Sequence, residues 1–119
     1  MMYSEAVLDH FKNPRNSGEL ADASASAEVT NPVCGDILRL AVRVESGRIA
    51  EARFKAQGCV TAIACASVLT EMMEGRAIAQ AREITAEKIS AALGELPQAT
   101  FHGAQLARDA LEAVLAEIH

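Results

Sequence analysis

The sequence predicts an α+β fold, a three-stranded antiparallel sheet with helices packed on one face. Apolar residues alternate with period two between residues 37 and 57, and the period turns helical after Cys59. Strand-like segments therefore come early and helical ones late, the order in which helices gather on one side of a small sheet.

Taken in order, YSEAVLDHFKNP reads as an opening helix, with Ser4 as its cap, Glu5 in its first turn and Asn13-Pro14 as its stop. Val7, Leu8 and Phe11 give it one apolar face. RNSGELADASASA is small and polar, a loop or a flexible tether. A short strand around Ala27 to Thr30 supplies a third sheet member. From Ile37 to Glu45, Leu38, Leu40, Val42 and Val44 alternate with outward residues, and Glu45-Ser46-Gly47 forms a turn. Arg48 to Gln57 returns with Ala50, Ala52, Phe54 and Ala56 on one face, completing a hairpin. VTAIACASVLTEMMEG is apolar on nearly every side, hence a buried helix, with Gly75 placed for a left-handed cap. A shorter helix spans residues 85–93 and stops at Gly94. The last runs from about Gly103 to Ile118, burying Ala107, Ala110, Leu111, Val114, Leu115 and Ile118.

The 119 residues bound a single domain, 1–119. Half of them are apolar, yet there are three Phe, one Tyr and no Trp, so Ala, Leu, Ile and Val must build the core. A net charge of −5 argues against a nucleic-acid partner, which needs clustered Lys and Arg. No window reaches the roughly 20 apolar residues that span a bilayer. The amino terminus carries acidic residues and no small-residue cleavage site, which predicts no secretory signal. Three cysteines without a C-x-x-C pair suit a reducing cytoplasm.

Four residues at the ends of elements could carry chemistry. Cys34 lies in the turn NPVCGD, shaped by Pro32 and Gly35, with Asp36 two residues on. Cys59 lies where the second long strand gives way to a helix. Antiparallel pairing brings the start of one strand beside the end of its partner, so Cys34, Asp36 and Cys59 share one rim of the sheet. His102 stands at another junction, the start of the last helix. A helix start favours thiolate at Cys59, and neutral imidazole at His102 is available as a ligand. Gly58 allows a close backbone approach or a positive φ. Thiolate, imidazole and carboxylate together suit zinc or iron–sulfur chemistry. Singly, each has an ordinary reading: a loop cysteine, a small filler at a tight join, a capping histidine, a turn aspartate. Cys65, inside AIACASVL, reads as inert core, and His10 and His119 are given no role.

The segments YSEAVLDHFKNPRNSGEL, NPVCGD, ARFKAQGCVTAIACASVLTEMMEG and ELPQATFHGAQLARDAL resemble the IscU/NifU-type iron–sulfur cluster assembly scaffolds along nearly the whole chain. The D-H-F-x-N-P-R-N opening, C-G-D and F-K-x-x-G-C, in that order, carry the resemblance. It implies a non-enzymatic platform that assembles a [2Fe–2S] cluster or binds iron, with zinc as a substitute. It also implies a cysteine desulfurase as sulfur donor, cluster-acceptor proteins, a chaperone pair, and a monomer or weak homo-oligomer. Cys34 and Cys59 match two of the family's three ligand cysteines, Asp36 the aspartate of the site, and His102 the histidine beside the third cysteine. Two positions depart from the pattern. The family's H-C pair is His102-Gly103 here, and its L-P-P-V-K stretch is Leu96-Pro97-Gln98-Ala99-Thr100. The missing thiol leaves two other readings open: a metal-binding or desulfurase-docking protein without assembly activity, and a sulfur relay carrying persulfide on Cys34 or Cys59.

Overall fold

The computed structural model describes residues 3–32 and 34–118; Val33 in the NPVCGD turn and His119 lie outside them. Its elements are α1 (Glu5–Lys12), β1 (Ala25–Thr30), β2 (Ile37–Glu45), β3 (Arg48–Gln57), α2 (Val60–Met73), α3 (Ile78–Ala81), α4 (Ala86–Ala92) and α5 (His102–Ala116). A short 3-10 turn, Gln98–Thr100, leads into α5. The strands form one antiparallel sheet in the order β1-β2-β3, so the predicted fold class stands.

Inward residues Leu38, Leu40, Val42, Ala52 and Phe54 are buried, while Glu28, Arg39 and Lys55 lie exposed on the other face. On the inner side, α2 packs against β3, α5 lies across β1 and β2, and α1 rests on α2. Alanines 62, 64 and 66 on α2 and 104, 107 and 110 on α5 are buried, and their small side chains let a core with few aromatics close.

Several elements differ from expectation for identifiable reasons. On β3, Ile49 faces the core and Ala50 does not, because Arg43 pairs with Glu51 while Val44 pairs with Ile49. The extra residue, Ala50, is a bulge that shifts the inward face by one position. Residues 15–24 are not a tether. The Arg15 N–H donates to Ser67 Oγ at 2.8 Å, the Phe54 N–H to the Asn16 carbonyl at 2.9 Å, and the Gly18 N–H to the Phe54 carbonyl at 2.9 Å. The segment is thus fastened along β3. The first strand begins at Ala25, two residues before the sequence places it, and α3 is an additional short helix.

In α1 the Ser4 cap is as expected, its Oγ accepting from the Val7 N–H at 3.1 Å and donating to the Leu93 carbonyl at 2.7 Å. The buried face is rotated, however: Phe11 is exposed, and His10 is buried with Val7. Polar partners beneath the helix, described below, make that burial tolerable. Gly75 takes the expected positive φ of 83°, yet its N–H bonds the Ile49 carbonyl and so ties the end of α2 to β3.

Candidate metal centre

The sheet register builds one side of the site. Ile37 pairs with Gln57, so Asp36, just before β2, meets Gly58 and Cys59, just after β3. The contact leaves no room at residue 58: a Cβ on Gly58 would lie 2.7 Å from the Asp36 carboxyl carbon. Of the two roles the sequence allows Gly58, the structure shows the close approach. Asp36 is consequently buried, beside an exposed Cys59.

Cys59 is the amino-terminal cap of α2. Its Sγ accepts from the Ala62 N–H at 3.4 Å, and in the thiol form donates toward Asp36 Oδ2 at 3.6 Å. Capping places the sulfur against the amide donors of the first turn of α2.

His102 completes the group from the first residue of α5, carried to the rim by the 3-10 turn. The ligating atoms of Asp36, Cys59 and His102 all lie within 4.8 Å of one another. A groove of about 210 Å³ between Pro32 and α5, with Gln105 and Asp109 on its wall, opens the half-buried imidazole to solvent.

Cys34 is not part of this group. The segment 31–36 closes on itself, the Asn31 N–H bonding the Asp36 carbonyl at 2.8 Å and the Gly35 N–H the Asn31 carbonyl at 2.7 Å. Gly35 takes φ +75° in that turn. Cys34 rides at the tip of the β1–β2 hairpin, exposed, beyond the rim on which Asp36 sits.

Cys65 is fully buried in α2, and burial, with the Cys59 charge nearby, pushes its thiol up to about 12. It stays protonated and enclosed, as the sequence indicates. What sequence reasoning missed is the floor of the site. Thr61 and Ala62 lie directly under Gly103, and the Thr61 Oγ1 is buried with no hydrogen-bond partner among the described residues. The only sequence signal for that contact is a glycine in the first turn of a helix, where propensity disfavours one.

The chain is similar to known proteins along nearly its whole length. A family model described as the NifU-like N terminal domain matches residues 2–118. An iron-sulfur cluster assembly scaffold protein IscU of Archaeoglobus fulgidus is 43% identical over 116 residues, covering 98% of this chain and 76% of that protein. The protein of that name from Escherichia coli is 40% identical over 121 residues, covering 98% and 94%. Among solved structures, a putative iron-sulfur cluster assembly scaffold protein for the SUF system from Fervidobacterium islandicum superposes with a TM-score of 0.77. At 23% identity over 95% of this chain and 96% of that one, it speaks to the fold alone.

Proposed function

The chain belongs to the NifU-like N-terminal domain family, and on that premise we propose that it is a platform on which iron–sulfur clusters are assembled, not an enzyme. The observation that carries the reading is the mixed donor set of Asp36, Cys59 and His102, whose ligating atoms lie within 4.8 Å of one another at an accessible rim. Carboxylate, thiolate and imidazole on a single rim suit iron or zinc.

Iron is cargo here, not a resident cofactor. Cys59 supplies a thiolate supported by the α2 amides, Asp36 an oxygen fixed against Gly58, and His102 a ring nitrogen from the start of α5. Cys34, exposed on the hairpin tip, is the second thiolate that a [2Fe–2S] cluster needs. A cysteine desulfurase delivers the sulfur and an acceptor protein takes the finished cluster. The exposed Pro97-Gln98-Ala99 segment is the place for a chaperone pair to bind. No helix among the described residues is long and apolar enough to cross a membrane, and the reading places this work in the cytoplasm.

A second reading, a metal-binding protein without assembly activity, is favoured by one observation: Gly103 offers no thiol, and Thr61 and Ala62 crowd the space beside it. Anaerobic reconstitution with ferrous iron and sulfide separates the two. The scaffold reading expects stoichiometric iron and acid-labile sulfide, lost in Cys34→Ala and Cys59→Ala and kept in Cys65→Ala. Bound metal without labile sulfide in the wild-type protein would establish the second reading.

A further inference from the structure

The first turns of α2 and α5 approach closely enough that a side chain at residue 103 would be crowded. Gly103 is buried, and a Cβ on it would stand 3.2 Å from Thr61 Cγ2 and 3.3 Å from both the Ala62 nitrogen and the Thr61 carbonyl carbon. None of these is the loose end of a flexible chain. Thr61 is 1% exposed and β-branched, with few χ1 choices in a helix. Its Oγ1 has no partner among the described residues, so packing, not a hydrogen bond, sets its rotamer. The Ala62 nitrogen is backbone, and its N–H is the one that holds Cys59 Sγ. On the other side of the contact, Gly103 follows His102 directly. The contact therefore joins two of the three donors through their own helices.

We propose that Gly103 is a positioning residue for metal capture: its missing side chain lets the two helix starts touch and sets the separation of His102 from Cys59. Any Cβ at residue 103 must move α5 away from α2, or displace Thr61 and Ala62, by a few tenths of an ångström. Metal–ligand distances tolerate only about 0.2 Å. The effect reaches both donors at once, His102 through the α5 backbone and Cys59 through the Ala62 N–H. The inference rests on the reading of the rim as a metal seat, and it assigns the seat's geometry to a residue with no donor atom on its side chain.

The test is an anaerobic Co²⁺ titration followed by absorbance, on the wild-type protein, Gly103→Ala, and Gly103→Ala combined with Thr61→Ser. Thermal unfolding of each metal-free protein is recorded alongside. Gly103→Ala adds a methyl group and no ligand. It is expected to weaken Co²⁺ binding about tenfold, the low end of what positioning partners of metal ligands contribute. The visible bands should lose intensity as the donors spread apart. Thr61→Ser removes the methyl at 3.2 Å and should recover part of both the affinity and the band intensity. Wild-type affinity and spectrum in Gly103→Ala would overturn the inference, as would no recovery in a folded double variant. If the wild-type protein itself bound no Co²⁺, the metal-seat reading would fail first, and that result is distinct from either of these.

Discussion

Two histidines pack beside α2, and their surroundings differ in one respect that separates structure from function. His10, near the carboxyl-terminal half of α2, sits in a network that answers every group in it. The Arg15 N–H donates to Ser67 Oγ at 2.8 Å, and the same hydroxyl is hydrogen-bonded to His10 Nδ1 at 2.7 Å. His10 Nε2 faces Glu71 Oε1 at 3.4 Å on the other side of the ring. Burial, with the Arg15 charge adding to it, pushes the His10 pKa below the usual histidine value, in keeping with a neutral ring. At the amino-terminal end of α2, His102 shares its space with a thiol and a carboxylate, and the Ala62 N–H donates to the thiol sulfur. A satisfied network holds a fold together. At the rim, three possible ligand atoms from separate elements converge within 4.8 Å, and the proposed metal reading rests on that group.

The strongest way to sharpen this contrast is Cys59→Ser. Serine is a better helix cap than most residues, so the metal-free protein should keep its thermal stability. Co²⁺ affinity should fall by more than the roughly 100-fold that even outer-sphere partners contribute. Retained affinity in this variant would remove Cys59 from the ligand set and dissolve the distinction between the two clusters.

Ser67→Ala probes the other end. It strips one buried partner from His10 Nδ1 and one from the Arg15 N–H, and should cost about 1–3 kcal/mol in urea unfolding. Co²⁺ affinity should not change. A matching loss of metal binding would mean that the two regions are energetically one.

The smallest expected effect is in pH. The folded state holds His10 below its unfolded pKa of about 6.5, so the unfolded chain takes up the proton first as the pH falls. Stability should be level with respect to this group above about pH 6.5 and decline below it, continuing through the folded pKa. Repeating the urea titrations on His10→Gln should flatten that decline. An unchanged slope would show that other groups govern it.

Much of the fold could be read because local chemistry and tertiary context agree. The 37–57 hairpin, the Ser4 cap and the glycines at 75 and 94 are short-range features, and each stands where the sequence places it. The misplacements have long-range causes. The rotated face of α1 depends on Ser67, 57 residues away from His10, and the inward turn of Ile49 on a bulge that alternation cannot express. The rim was legible in kind, since strand register alone brings Asp36 to Cys59.

By itself, then, the sequence determined the α+β layout, the elements that end at the rim, and the burial of Cys65, because period, capping and apolar context are local properties. Only the tertiary structure decided which donors meet. It closes the 31–36 turn so that Cys34 stays outside the group, seats Asp36 in the space Gly58 leaves, and presses Gly103 onto Thr61. The reason is steric: a distance of a few ångströms between helix starts is set by the volumes of residues far apart in the chain, which no local pattern records.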